Sequence, residues 1–208
     1  QFGAGNIGRG FIAQVFTESG YEVVFVDINE TIVDELNKKK EYTLEIDGDK
    51  NRQVIIKNIR AINGRDIEAV AEEMLTADIM ATAVGVNVLR NICPAVSEGI
   101  KLRARNNIQS PLNIIICENL LHAGSIMKSY IEALIEDEHK PYLNQYIGFV
   151  ETVIGRMIPV MTEEMKKNNP LLIMAEEFCT LPVAKKGFIG EIPVVKNMIA
   201  CDNFESYE

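Results

Sequence analysis

The chain has little of what marks proteins that bind nucleic acid or span a membrane. Its net charge at pH 7 is −9, and no basic cluster exceeds Lys38-Lys39-Lys40, which we interpret as the end of a helix. Nucleic acid is therefore not an expected partner. No apolar run reaches the length of a transmembrane helix and no signal peptide is visible, so we expect no membrane association.

Cysteine and histidine are also sparse, which argues against a disulfide framework and against a metal site. The four cysteines contain no C-x-x-C pair, and they are Cys93, Cys117, Cys179 and Cys201. We expect a reducing cytoplasm as the compartment, Cys117 in the core, and no bound metal. The two histidines, His122 and His139, are far apart in sequence, so surface or helix-face positions are expected for both.

What the chain does have is a glycine motif in its first ten residues, QFGAGNIGRG. Gly3, Gly5 and Gly8 have the G-x-G-x-x-G spacing of a dinucleotide-binding turn. Gly3 would permit the tight turn, Gly5 would let a pyrophosphate approach the backbone, and Gly8 would let the helix pack close to the sheet. The helix N-terminus would add free N–H groups and partial positive charge. Because only two residues precede Gly3, we expect the natural chain to start a few residues earlier.

The residues that follow support this interpretation. Apolar residues recur at helical spacing, at Ile7, Phe11, Ile12, Val15 and Phe16. Gly20 stands where a helix would end, and a buried strand over 21–26 leads to Asp27, where a ribose-binding acid is expected. Its carboxylate could accept from both ribose hydroxyls and would repel a 2′-phosphate, which favours NAD over NADP. The alternative is a purely structural glycine turn with a solvated Asp27.

Beyond Asp27 the pattern alternates between strands and helices. Strands are predicted over 42–46, 54–56, 59–62, 78–84, 111–117, 147–154 and 171–175. Helices are predicted from Asn29 to the three lysines and over 67–75, 88–100 and 120–135, with a short one from Pro141. Pro94 should kink or start its helix, and 101–105 should form a solvated helix end.

This alternation predicts an α/β fold of the Rossmann type, doubly wound with a mostly parallel sheet. The segments 42–46 and 54–56, joined by a turn at 47–49, predict an inserted β-hairpin, and extra strands are expected near the C-terminus.

Two strand ends should lie at the ligand-binding edge of such a sheet. The strand over 78–84 leads into Ala83, Val84 and Gly85, whose small side chains would let a cofactor lie along the backbone. Alternatively, Gly85 merely starts the next helix. The most apolar strand ends at Glu118 and Asn119, and for Asn119 ligand contact and helix capping are equally supported.

The segments FGAGNIGRGFI, FVDIN, TAVGVNVL, SPLNIIICENL and GFVETVIGRMIP resemble the amino-terminal domain of the mannitol-1-phosphate 5-dehydrogenases, within the polyol-specific long-chain dehydrogenase family. The resemblance covers nearly the whole chain. It implies an NAD-dependent oxidoreductase that interconverts mannitol 1-phosphate and fructose 6-phosphate, with a small sugar phosphate as its partner. The cofactor contacts that we infer from the motif and the resemblance are Phe2, Gly3, Ala4, Gly5, Asn6, Ile7, Gly8, Arg9, Gly10, Asp27, Ile28, Ala83, Val84, Gly85 and Asn119.

The resemblance also has two departures. The family's signature has an acid before its arginine, whereas here Gly155 precedes Arg156, so the geometry of Arg156 on the substrate side is in question. The family's catalytic lysine is expected beyond Glu208. We therefore expect residues 1–200 to be the NAD-binding domain, with a core over 1–158 and an extension over 159–200, and 201–208 to begin a helical substrate domain.

Hydride transfer to a ketone also needs a proton donor near the carbonyl oxygen. His122, Lys128 and His139 are the internal candidates, and no motif aims any of them at a nicotinamide. The chain should therefore bind NAD without turning over polyol. Two alternatives remain: a related mannitol 2-dehydrogenase, tagaturonate reductase or fructuronate reductase, and a non-catalytic nucleotide-sensing Rossmann module. The sequence leaves the oligomeric state open.

Overall fold

The structure is a computed structural model that describes residues 1–48 and 52–204. Their backbone contacts divide them into two compact units. The first unit consists of Gln1–Asn63, Gly155–Leu181 and Val194–Met198. The second consists of Gly64–Ile154, Pro182–Pro193 and the described part of the segment from Ile199 onward.

The first unit opens with the glycine turn and the helix that follows it. Phe2 forms a parallel bridge with Val26, so the start of the chain lies beside the first strand. A π-helical turn over Gly8–Ile12 continues into α1 (Ala13–Thr17), and the apolar residues predicted to face inward are buried. Gly20 ends this helix with a φ of 89°, and its N–H donates to the carbonyl of Thr17 at 3.0 Å.

A parallel strand pair and its crossover helix follow. β1 (Val23–Asp27) pairs with β4 (Ile59–Asn63), as expected of a βαβ unit. Between them lies α2 (Glu30–Lys39), where the side chain of Asn29 accepts from the N–H of Ile32 at 3.2 Å. Two of the three lysines occupy the last turn of α2, which confirms the interpretation of that run as a helix end.

The predicted hairpin is also present in the first unit. β2 (Glu41–Asp47) pairs antiparallel with β3 (Arg52–Lys57), and β8 (Ile173–Glu176) adds in parallel on the other side of β2. Residue 49 of the predicted turn lies outside the described residues. The helix α7 (Glu163–Asn168), capped by Thr162, was not predicted, because none of its residues is buried and it has no apolar stripe.

The second unit is built on a three-stranded parallel sheet in the order β5-β6-β7. Its strands are β5 (Ile79–Thr82), β6 (Leu112–Ile116) and β7 (Ile147–Glu151). The central strand β6 is buried at all five positions, which explains why all of its residues but Asn113 are apolar. The helices of the second unit are α3 (Ile67–Glu73), α4 (Val86–Arg105), α5 (Ala123–Glu132) and α6 (Lys140–Tyr146). A two-stranded sheet, β9 (Leu181–Ala184) with β10 (Met198–Cys201), provides the extra C-terminal strands.

Helix α4 differs from the prediction at Pro94 and at its C-terminal end. Pro94 lies inside the helix, which begins at Val86 and not at the proline. The segment 101–105 is the end of α4, and Arg105 is exposed as predicted, but Lys101 is only 7% exposed and Arg103 is fully buried. Arg103 donates to the carbonyls of Met74 at 2.6 Å and Ser110 at 2.7 Å. A buried arginine is tolerated because these main-chain oxygens replace its water.

Candidate functional site

The glycine turn begins with a backbone conformation that favours glycine. Gly3 has a φ of 89°, and its N–H donates to the carbonyl of Val26 at 2.9 Å. A Cβ at Gly8 would collide with the carbonyl oxygen of Gly3. We expected Gly8 to allow close packing of helix and sheet, but the close approach that needs it lies within the turn itself. Gly3 is therefore favoured by its positive φ, and Gly8 by the lack of room for a Cβ beside the carbonyl of Gly3.

Gly5, unlike Gly8, has open space where a Cβ would be, and a dinucleotide needs such space. It is exposed, and a Cβ built there would meet nothing within 4 Å. The backbone is thus open on the side where the sequence predicts a pyrophosphate, next to the start of a helix. The remaining predicted turn residues are more enclosed: Phe2, Ala4 and Gly10 are buried, and Asn6 and Ile7 are half-buried.

Asp27 is joined to the turn by its carboxylate. Oδ2 accepts from the N–H of Ala4 at 2.6 Å, and Oδ1 accepts from the N–H of Asn29 at 2.9 Å. These two bonds orient the side chain at the carboxyl end of β1. A carboxylate offers about four acceptor positions, so two ribose hydroxyls could still be accommodated. The neighbouring Ile28 is 57% exposed.

Arg9, predicted among the cofactor contacts, turns its side chain inward. It is 6% exposed, its Nε donates to the carbonyl of Ala4 at 2.6 Å, and its Nη1 donates to that of Leu171 at 2.7 Å. The carbonyl of Arg9 accepts from the Tyr42 hydroxyl at 2.6 Å. Burial lowers the pKa of the Arg9 guanidinium and raises the pKa of Tyr42. The guanidinium therefore supports the turn from within the unit.

In the second unit, Glu118 organises the end of β5. It is 6% exposed, and its Oε1 and Oε2 accept from the N–H groups of Val84 at 2.9 Å and Gly85 at 2.8 Å. Gly85 has a φ of 92° and is the N-cap residue of α4. The adjacent Ala83 follows the last residue of β5, Thr82. Sequence analysis identified Glu118 as a polar strand end but not as the residue that holds this loop.

Asn119 is exposed, and its side chain makes no hydrogen bond within the described chain. The capping alternative for Asn119 is wrong, because the N-cap of α5 is His122, which has a φ of 56° and makes no side-chain cap. His122 is exposed, and Lys128 pairs with Glu132 at 3.8 Å on α5. The imidazole of His139 is mostly buried and lies 3.7 Å from the carboxylate of Glu138.

Arg156, predicted on the substrate side, lies in the interior of the first unit at 3% exposure. Its Nη1 donates to the carbonyl of Gly10 at 2.9 Å and to Oε1 of Gln14 at 2.7 Å, and its Nε donates to the carbonyl of Glu176 at 2.9 Å. Burial lowers the pKa of this guanidinium. These bonds hold Arg156 without an acid at position 155, and its contact with substrate stays a prediction.

Within residues 1–48 and 52–204, no group of three or more histidine, cysteine, aspartate or glutamate side chains is placed to hold a metal ion. No helix in this part of the chain combines the length and the apolar composition needed to cross a membrane.

The sequence and this geometry agree with a family model described as the mannitol dehydrogenase Rossmann domain, which matches residues 1–204. The chain belongs to the mannitol dehydrogenase family. Mannitol-1-phosphate 5-dehydrogenase of Lactiplantibacillus plantarum is 37% identical over 208 residues, and that of Bacillus subtilis is 38% identical over 207. Each match covers 99% of this chain, with 53% and 54% of the relatives. The chain thus spans about half the length of the curated relatives it matches.

Solved structures confirm the Rossmann-type fold. A ternary complex of Pseudomonas fluorescens mannitol 2-dehydrogenase with NAD and D-mannitol has a TM-score of 0.80 at 14% identity, covering 99% of this chain and 53% of that one. A substrate-free D-sorbitol dehydrogenase has a TM-score of 0.79 at 17% identity, covering 99% and 54%. At these identities the likeness concerns the fold alone.

Proposed function

We propose that this chain is the NAD-binding part of an oxidoreductase that interconverts mannitol 1-phosphate and fructose 6-phosphate. Family membership and the relatives named mannitol-1-phosphate 5-dehydrogenase support the reaction class. The observation that carries the cofactor assignment is the Asp27 carboxylate, held 2.6 Å from the N–H of Ala4 in the glycine turn. A fixed carboxylate at this place selects a ribose with free hydroxyls.

The first unit would hold the adenosine diphosphate half of the cofactor. The missing side chain at Gly5 leaves room for the pyrophosphate, and the following helix start offers N–H groups to its oxygens. Asp27 would accept from the ribose hydroxyls and repel a 2′-phosphate. Bound NAD would supply the hydride acceptor of the reaction. The glycine turn would bind and orient the NAD, and Asp27 would favour NAD over NADP.

In the second unit, the proposed cofactor contacts are Ala83, Val84, Gly85 and Asn119. In this proposal Glu118 orients the loop, because its carboxylate holds two successive N–H groups there. The proton donor for the substrate oxygen is proposed to be a lysine beyond Glu208, which leaves the present chain able to bind NAD but not to turn over polyol.

The test has two stages. NADH and NADPH affinities of this chain are measured by titration calorimetry, and NADH should bind more tightly. The full-length gene product is then assayed with fructose 6-phosphate and with fructose, and the phosphorylated ketose should be reduced faster. Tighter NADPH binding would remove the role given to Asp27. Preference for fructose would favour a mannitol 2-dehydrogenase, and binding without any reductase activity would favour a nucleotide sensor.

A further inference from the structure

Arg156 is a buried cation that bonds both to the helix after the glycine turn and to β8. The three hydrogen bonds described above reach the carbonyl of Gly10, the amide oxygen of Gln14 and the carbonyl of Glu176. The guanidinium carbon also lies 5.7 Å from the centre of the Phe11 ring, within range of a cation–π contact. All of these acceptors are uncharged, so Arg156 joins helix and extension without forming an ion pair through these bonds.

The part of the helix that Arg156 contacts is irregular. The N–H of Ala13 donates to the carbonyl of Gly8, five residues earlier, which is the bonding of a π-helix. Such turns are rare in proteins and are frequently found at functional sites. Gly10 lies inside this turn and Gln14 lies one turn further on, so the two bonds from Nη1 span the change from π-helical to α-helical geometry.

The residues that follow Arg156 in the chain also contact the π-helical turn, through the packing around Gly10. A Cβ at Gly10 would lie 3.1 Å from atoms of Ile158 and 3.2 Å from Ile173. Ile158, two residues after Arg156, and Ile173, the first residue of β8, thus pack against the turn. The segment 155–176 is placed to control the position of Gly8–Ile12 relative to Gly3 and Gly5.

We propose that Arg156 is a positioning residue for the dinucleotide turn. It holds the π-helical turn Gly8–Ile12 in the geometry in which its N-terminal N–H groups receive a pyrophosphate. The inference rests on the proposed NAD binding. The competing explanation is that Arg156 only stabilises the first unit and has no bearing on how tightly the pyrophosphate is held.

The test compares Arg156→Met and Arg156→Lys with the wild-type chain. ADP-ribose carries the pyrophosphate and adenosine does not, so their dissociation constants are measured by calorimetry on protein shown to be folded by circular dichroism. Loss of hydrogen bonds from a charged donor should weaken ADP-ribose binding about tenfold or more in Arg156→Met. Adenosine affinity should stay within about twofold, and Arg156→Lys should recover part of the loss.

Arg103→Met provides the matched control. Arg103 is equally buried and also donates to main-chain carbonyls, but those carbonyls belong to Met74 and Ser110 in the second unit. This variant should be destabilised to a similar extent while its ADP-ribose affinity stays unchanged. Equal weakening in both variants, or unchanged ADP-ribose affinity in Arg156→Met, would overturn the proposal. A wild-type chain that bound no dinucleotide would instead overturn the proposed function.

A ligand-free measurement separates positioning from ligand contact. Amide hydrogen exchange of Gly8–Ile12 should be faster in Arg156→Met than in the wild type, and unchanged in Arg103→Met. If Arg156→Met does not fold, Gln14→Leu replaces it, because it removes one acceptor and retains the arginine. Gln14→Leu should show the same selective loss of ADP-ribose affinity, and equal affinity in that variant would contradict the proposal.

Discussion

The proposed cofactor binding depends most on Asp27 and Gly5, and the surroundings of each residue explain its role. Asp27 is oriented by the N–H groups of Ala4 and Asn29. Gly5 is open to solvent, whereas the space that a Cβ would need at Gly8 is filled by the carbonyl of Gly3. Glycine at position 5 therefore leaves room for a ligand, whereas glycine at position 8 allows two parts of the backbone to pack closely.

Replacing Asp27 by asparagine should change which nucleotide binds. The amide oxygen can still accept from Ala4, but the negative charge that would repel a 2′-phosphate is lost. NADPH affinity should rise about tenfold relative to NADH, in keeping with the removal of one close charge repulsion. Titration calorimetry with both nucleotides gives the ratio.

The control for this charge change is Asp34→Asn on the exposed face of α2. It removes the same charge without touching the turn, so its NADH to NADPH ratio should equal that of the wild type. A similar shift in both variants would mean that net charge, and not Asp27, sets the preference.

Alanine at Gly5 and at Gly8 should have different effects. Gly5→Ala adds a methyl group in open space, so thermal stability should be nearly unchanged while NADH affinity falls, because the pyrophosphate approaches there. Gly8→Ala forces the turn apart and should lower both stability and affinity, with a destabilisation of about 1–3 kcal/mol. Melting curves and NADH titrations separate the two. Unchanged NADH affinity in Gly5→Ala would contradict the predicted path of the pyrophosphate.

At the scale of elements, helix α1 is held at its C-terminal end by a short segment from late in the chain. The Lys196 ammonium pairs with the Glu18 carboxylate at 2.8 Å, and the N–H of Lys196 donates to Ser19 Oγ at 2.9 Å. Burial alone would raise the pKa of Glu18, but hydrogen bonds from Lys196 and Gln14 outweigh it and lower the pKa. The contact therefore depends on an ionised carboxylate.

The stability that Glu18 contributes should depend on pH. Its pKa is lower in the folded chain than in the unfolded chain, so this stability is present above the unfolded value and is lost as the pH falls through the folded value. Urea unfolding of the wild type and Glu18→Gln should differ at pH 7, and the difference should be smaller at about pH 3. Curves that differ equally at both pH values would contradict the role of the charge.

Over the whole molecule, three of the four cysteines are buried, and Cys179 is half-buried. All four are free, and Cys93 and Cys117 are buried in the second unit. Burial raises the pKa of Cys93 to about 11, and burial likewise raises the pKa of Cys117. Since the thiolate is the reactive form, both should be nearly inert in the folded chain.

Alkylation followed by mass spectrometry tests this expectation. At pH 8, iodoacetamide should leave Cys93 and Cys117 unmodified in the native chain and modify them after unfolding in guanidinium chloride. The unfolded sample serves as the control for reagent access. Rapid native labelling of Cys117 would show that the second unit opens at the position of the central strand.

Much of the architecture follows from local sequence. The apolar run 111–117 predicted a fully buried strand and β6 is one, because a central parallel strand is covered on both faces. Asn29 predicted a helix start because its side chain can accept from an N–H three residues on. The glycine spacing predicted the turn because a positive φ and a close backbone approach exclude a Cβ.

Contacts between residues far apart in the chain could not be predicted from the sequence. Arg103 was expected in solvent, yet it is buried because main-chain carbonyls far away in sequence accept from it. Arg156 is buried for the same reason, and its contact with substrate stays a prediction. Nothing in the local pattern distinguishes these arginines from exposed ones. The sequence by itself determined the glycine turn and most of the helices and strands, whose causes lie within a few residues. Only the tertiary structure decided which charged side chains support them, because each is stabilised by partners that folding brings together.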